Sequence, residues 1–516
     1  MISPSWCPPA LAMTLLTCAA LPSSLSAQDL TTAQPSPLLL NDVHSRLNAT
    51  MVAEVLQPKT VDEVVAAVNR AKAEKRSISI SGARHSMGGQ QWARDSLHLD
   101  MRGLSKFLAL DADKQLARAE AGITWPALVD ALEKAQAGKD PILSITQKQT
   151  GADELTLGGA VSTNIHGRGL LWRPFIQDIE SITLVDAEGA IRKVSRIKDA
   201  ELFSLVVGGY GLFGVITEVE IRLRPRLKLE RVVEVMPITG VTQRIEERIR
   251  DGFVLGDFQF CPDEKSDTFL KEGVFSCYKP AAPEATMPVT QLALNPDRWR
   301  NLILKAHINK AEAWSDYTTY YKKTSGQHYW LDRAQFNHYD TDYEERMQAA
   351  TKDVPAGSLM ILEVYVQRPL LEDFMAASAE DFRKHHTNVI YGTVRFIKRD
   401  GESFLPWAKD DYACIVFNLR VTHTPEGVEK AKGEFRRLID RAQARGGNFF
   451  LTYHRWATKE QMLNGYPQFP QFLKLKKHYD PEERFQSEWY RYWKKAFSTV
   501  PGDWGGPPLE TPRSSD

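Results

Sequence analysis

A run of glycines that leads into a strand constrains this chain more than any other feature. Gly209, Gly211 and Gly214 match the spacing G-x-G-x-x-G, the fingerprint of a dinucleotide site at the start of a helix. The residues that follow, VITEVEIRLRP at 215–225, alternate apolar with polar and are rich in β-branched side chains, so they predict a strand ending at Pro225. With no helix N-terminus to receive a pyrophosphate, the context argues against a Rossmann site. The glycines are expected instead to bring backbone close to a ligand or a neighbouring strand.

Two further glycine-rich segments precede this one. Thr60 and Glu63 form a capping-box pair, and Val61, Val64, Val65, Val68 and Ala71 recur at helical spacing, which predicts a helix over 61–74. A strand, SISIS at 77–81, follows and opens into SGARHSMGG at 81–89. A turn through small residues can present successive backbone N–H groups to an anion. The other segment, LGGAVSTNIHGRG at 157–169, reads as a tight loop. Strands are predicted at 97–101, 116–121, 181–186, 191–194 and 214–223, with a helix over 125–136 capped by Thr124. Short strands, few helices and many turns give an α+β class. Beyond Leu227, strand-like stretches (253–261, 273–278, 359–366, 412–421) alternate with helical ones (344–351, 371–384, 428–445) and predict a second α+β domain on an antiparallel sheet. Aromatic residues crowd 314–343, as in a half-wet channel or a packed helical lid.

A length of 516 residues asks for two or three domains. Lys plus Arg and Asp plus Glu both number 65, so no field gathers nucleic acid. The uncharged apolar run at 8–21, followed by Ser23, Ser24, Ser26 and Ala27, is laid out as a signal peptide cleaved near Ala27, which predicts export. It is too short for a transmembrane anchor. Residues 28–49 read as a linker and 501–516 as a disordered tail. Of five cysteines, Cys7 and Cys18 fall in the leader; Cys261, Cys277 and Cys414 show no metal spacing, and Cys261 and Cys277 are either disulfide-bonded or buried thiols.

In order and spacing, PKTVDEV, SGARHSMGG, LTLGGAVSTNIHGRG and GGYGLFGVITEV resemble the FAD domain of the vanillyl-alcohol oxidase and para-cresol methylhydroxylase superfamily, over 50–226. The resemblance implies a two-subdomain FAD-binding domain followed, at 227–500, by a substrate domain. It implies FAD contacts at Ser81, Gly82, Ala83, Arg84, His85, Ser86, Gly88, Gly89 and Gln90. It extends them to Gly158, Gly159, Ala160, Ser162, Thr163, Asn164, His166, Gly167 and Ile216. His85 falls where alditol and gulonolactone oxidases attach flavin through a histidine. No cysteine stands near Asn164 or His166, so one covalent link at most is implied.

The second half resembles the substrate domain of sugar and polyol oxidases less closely. Where that family reads E-x-R, this chain has Thr393-Val394-Arg395; where it reads H-W-G-K, this chain has His454-Arg455-Trp456-Ala457, with the lysine lost or displaced to Lys459. Arg395 and His454 are the expected catalytic groups, a cation and an imidazole beside the flavin. Glu363 and Tyr365 lie on another strand that could reach the pocket. The expected activity is transfer of hydride from a small-molecule substrate to flavin, with oxygen or another electron acceptor completing the cycle. A quinone- or cytochrome-linked dehydrogenase and an exported flavin-binding module without turnover are the competing readings.

Overall fold

A computed structural model of the chain describes residues 38–282, 284–339, 341–351 and 354–498. The expected leader, with Cys7 and Cys18, and the expected tail at 501–516 lie outside the described residues.

The architecture is α+β and rests on three sheets. In the first, Glu54–Leu56, Leu97–Asp100 and Ile78–Ser81 pair in parallel, in that order. The helix Val61–Ala73 covers it, burying Val64, Ala67, Val68 and Ala71 against Ile78, Leu97 and Leu99. At its start Thr60 accepts from Glu63 N at 3.2 Å, while the Glu63 carboxylate accepts from Lys59 N at 2.7 Å, one residue earlier than a capping box requires.

The second sheet is antiparallel, in the order Ile191–Ser195, Ile179–Val185, Val215–Pro225, Leu116–Glu120, Phe107–Asp111, with Leu143–Ile145 also on Val215–Pro225. Thus the G-x-G-x-x-G segment does enter a strand. Gly214 has φ +144°, and a Cβ there would stand 2.8 Å from Leu184 Cδ1, so the glycine permits close approach to the adjacent strand. The helix Trp125–Ala135 follows Thr124, which makes no side-chain cap; Pro126 near its start has no N–H to donate.

The third sheet has eight antiparallel strands, in the order His328–Trp330, Lys228–Pro237, Glu272–Pro280, Leu255–Phe260, Val389–Ile397, Tyr412–Thr422, Gly357–Gln367, Asn448–Phe449. Alternation along the strands puts Val364, Val394 and Phe417 into the main core, where Phe417 meets Phe382 of the helix Leu371–His385. Glu363, Arg395 and Val416 take the other face. There a helical pair, Pro296–Ile308 and Lys310–Lys323, packs with Trp299 edge-on to Tyr391; the aromatic-rich stretch at 314–343 begins in its second helix and continues through the strand His328–Trp330 and the turn Arg333–Gln335.

Three features depart from the sequence reading. Residues 38–49, polar enough to read as linker, pack against the glycine loop: Leu39–Leu40 pairs with Thr50–Met51, and Asp42, His44, Ser45 and Asn48 are buried. The C-terminal stretch crosses back to the N-terminal half, where Gln486 N donates to Ile78 O and, in the first turn of the helix Glu488–Ser498, Trp489 N donates to Gly89 O. Cys261, Cys277 and Cys414 are all buried free thiols.

Candidate functional site

The three sheets meet around one deep cavity. Its first wall is the loop after Ile78–Ser81, and Ser81, Gly82, Ala83, Arg84, His85, Ser86 and Gln90 line it. The loop is clasped from behind: Met87 N donates to Thr452 O at 3.0 Å and Gln90 Nε2 to Leu451 O at 2.8 Å. Arg84 has φ +64°, a left-handed conformation costly for a residue with a Cβ and retained here by its surroundings. Among the described residues, the backbone N–H groups of Ala83, Arg84, His85 and Ser86 have no acceptor. These residues are partly exposed toward the cavity, and a run of open donors around a left-handed residue forms a nest that can receive an anion. Arg84 Nε and Gln91 Oε1 are buried without partners beside them.

The second wall is Gly158, Gly159, Ser162 and Thr163. They belong to a short helix, Leu157–Thr163, capped by Thr156, and not to the loop that their glycines suggested. Gly82 lies so near this helix that a Cβ on it would stand 2.1 Å from Thr156 Oγ1. Tyr210, Gly211, Gly214 and Ile216 add the third wall, with Tyr210 packed on Trp489 of the returning C-terminus.

Several expected contacts lie elsewhere. Gly88, Gly89, Ala160, Asn164 and Gly167 are absent from the lining among the described residues. Asn164 caps the short helix and spends its side chain on Asp400 Oδ2 and Ile176 N, at 2.9 and 3.0 Å. Gly88 N is held by Gln90, Gly89 O by Trp489 N, and Gly167 N by Gln147. His454 is also away from the cavity: it is buried edge-on to Phe435 and stacked on Trp456. Its neighbour Tyr453 lines the cavity in its place. Lys459 lies over the Phe497 ring, 4.9 Å from its centre.

The fourth wall comes from the eight-stranded sheet and carries the charge. Arg395 is buried, its Nε has no partner, and the guanidinium makes no hydrogen bond or ion pair among the described residues. Glu363 accepts from His166 Nε2 at 2.8 Å, from Tyr453 Oη at 3.1 Å and from Tyr365 Oη. Burial raises the Glu363 carboxyl, but the His166 charge, the hydrogen bonds from His166 and Tyr365, and the Arg395 charge outweigh it and hold it below the ordinary range. His166 Nδ1 lies 2.9 Å from Gly167 O. Both ring nitrogens of His166 therefore face oxygen atoms that accept hydrogen bonds. Cys414 Sγ is 3.8 Å from His166 Nε2, and burial pushes its thiol well up. His166, Glu363 and Cys414 are close enough to hold a metal, but Glu363 is already committed to three donors and the thiol resists ionisation.

At the loop end, His85 Nδ1 meets His44 Nε2 at 2.8 Å, and His44 packs on Tyr339. Burial, helped by Arg84, lowers His85 to about 4, and burial lowers His44 well below its ordinary value. Both rings are neutral near pH 7. His44 was invisible in sequence because a lone histidine in a polar stretch carries no signal.

Residues 52–195 match the family model of the FAD binding domain. This stretch is an FAD-binding domain. The chain is 28% identical over 196 residues to mitochondrial L-galactono-1,4-lactone dehydrogenase of Brassica oleracea, covering 37% of this chain and 31% of that protein. It is 29% identical over 172 residues to cytokinin dehydrogenase 3 of Oryza sativa subsp. japonica, covering 32% and 31%. It is 30% identical over 183 residues to decaprenylphosphoryl-beta-D-ribose oxidase of Mycolicibacterium smegmatis, covering 34% and 38%. Each match spans roughly a third of the relative's length. The open donors at 83–86 and the unpartnered Arg84 and Gln91 atoms fit the anionic and polar parts of FAD.

Proposed function

We propose that the chain is an exported FAD-dependent oxidoreductase that oxidises a small-molecule C–H bond, as in an alcohol, sugar, lactone or sterol. The observation that carries this reading is the meeting, in one cavity, of the open backbone donors at 83–86 with the unpaired Arg395 cation from the other half of the chain. In this reading the parallel and six-stranded sheets are the two subdomains of the cofactor domain, and the eight-stranded sheet is the substrate domain.

Bound FAD would supply a two-electron acceptor for substrate hydride, with oxygen or another acceptor completing the cycle. The N–H groups at 83–86 and Arg84 bind its pyrophosphate. His85 is the attachment point for a covalent link: pairing with His44 occupies Nδ1 and leaves Nε2 as the ring atom available for a bond. Arg395 holds positive charge where negative charge develops, and among the described residues no carboxylate is ion-paired to it. Tyr453 Oη takes a substrate hydroxyl proton as it hands its own to Glu363 Oε2, 3.1 Å away.

The test is direct. Purified protein should be yellow, stay yellow after acid precipitation, and bleach anaerobically with a substrate from a panel of alcohols, lactones and sterols; a colourless protein that takes up no FAD defeats the reading. Export predicts a mature N-terminus near Gln28, read by N-terminal sequencing of secreted material.

A further inference from the structure

A second chamber adjoins the first cavity and is not used by the cofactor reading. Trp299, Asn337, Tyr391, Thr393 and Arg395 belong to the walls of both. Beyond Arg395 the lining changes character. The helical pair Pro296–Ile308 and Lys310–Lys323 covers the chamber with Trp314, Tyr317, Tyr320 and Tyr321, and Phe336 and Tyr329 continue the apolar surface. Such walls suit a flat conjugated ligand.

The charge there is one-sided. Four arginines and one aspartate line the chamber. Arg333 is paired with Asp130 and Glu133. Arg231 bonds to the hydroxyl oxygens Tyr278 Oη and Thr324 Oγ1 and lies over the rings of Tyr278, Tyr321 and Tyr329. Asp257 reaches Arg168 Nη1 at 3.5 Å, the limit of a hydrogen bond, and also accepts from Gln259 and Thr393. In the chamber one carboxylate, Asp257, thus faces Arg168 and Arg231, while Arg395 at the seam also feels the charge of Glu363 from the first cavity. The phenols do not make up the difference, because burial raises Tyr317 and Tyr321. Arg168, 8% exposed, leaves Nε without a partner, as does Arg395 at the same exposure. Buried cations left uncompensated are expensive, and a planar guanidinium is matched by a carboxylate.

We propose that this chamber binds an aromatic carboxylate, with the carboxylate on Arg168 and the ring between Trp314 and the tyrosines. This group is the distal part of the molecule whose reacting end lies in the first cavity. Its role as substrate rests on the oxidoreductase reading; the binding does not.

The experiment uses the full chain, loaded with FAD, and calorimetry with two probes of one shape, 2-naphthoate and its uncharged amide. The carboxylate should bind at least about tenfold more tightly, equivalent to roughly 1.4 kcal/mol. Arg168→Gln should abolish that preference. Trp314→Ala, on a half-buried helical position, should weaken both probes about equally and keep the preference. Equal binding of the two probes, no binding of either, or a preference that survives Arg168→Gln would overturn the proposal. Should Arg168→Gln fail to fold, Trp314→Ala decides: unchanged affinity for naphthoate places the ligand outside the chamber and overturns it. Absorbance at the flavin band, read on the same samples, separates the two readings. Yellow protein without carboxylate preference defeats the chamber alone, and colourless protein that retains the preference defeats the cofactor reading alone.

Discussion

The two adjoining cavities are built from different materials. The first is made largely of main chain: open N–H groups, a left-handed Arg84 and glycines pressed against a neighbouring helix. The second is made of side chains: indoles, phenols and guanidinium groups carried on a sheet face and a helical pair. A site made of backbone depends on local conformation and tolerates few changes where it bends. A site made of side chains can be altered one group at a time while the fold stands.

The largest expected effect is on the main-chain side. Gly82→Ala brings a Cβ to 2.1 Å from Thr156 Oγ1, and the ~1–3 kcal/mol typical of overpacking corresponds to roughly five- to 140-fold weaker FAD binding. Flavin absorbance after gel filtration measures it, and full retention would dissolve the contrast. Arg395→Ala comes next, at the seam between the cavities. It should slow anaerobic flavin reduction by about 10²-fold with FAD content unchanged, because the residue comes from the substrate half. A rate equal to the unaltered protein's would make Arg395 a bystander.

An intermediate effect comes from acid. His85, which lines the first cavity, and His98, which bonds to Ser81 beside it, are both lowered by burial to about 4, whereas no histidine lines the second chamber among the described residues. Their folded values lie below the unfolded value near 6.5, so the unfolded chain binds more protons between them. Stability from these groups is complete above about pH 6.5 and is lost as pH falls toward 4, each histidine costing at most about 1.4 kcal/mol for every pH unit of acidification. Melting temperature against pH should decline over that window, and His98→Gln should shallow the decline. The smallest effect is expected of Trp314→Ala. FAD content should not change, and stability should fall by less than about 1 kcal/mol, since the indole is half-buried. A colourless Trp314→Ala would show that the two cavities are not separable.

The same contrast explains which parts of the molecule are legible in its sequence. Glycine spacing reports backbone geometry directly, so the loops at 81–90 and 209–216 and their arrangement are legible. The segment at 157–163 is harder, because Gly158 and Gly159 argue locally against the helix that Thr156 caps and tertiary packing retains. The charged wall is only partly legible. Arg395 and Glu363 sit on strands whose alternation points them inward, but His454 reads as a catalytic imidazole in sequence and is packed between aromatic rings in the fold. Asn164 likewise reads as a ligand contact and serves as a left-handed helix cap. His44 and Tyr453 gain their meaning from neighbours far away in the chain, which spacing does not encode.

The return of the chain's end to its beginning has a consequence for biogenesis. Ile78 N donates to Arg484 O, Gln486 N donates back to Ile78 O, and Phe485 lies alongside as a short parallel bridge. The edge of the parallel sheet that launches the 81–86 loop is therefore closed by residues made more than 400 positions later. During synthesis that edge stays open until residues 484–486 have been made, and a fragment ending at residue 226 would carry every FAD motif with a raw strand edge in place of a finished site.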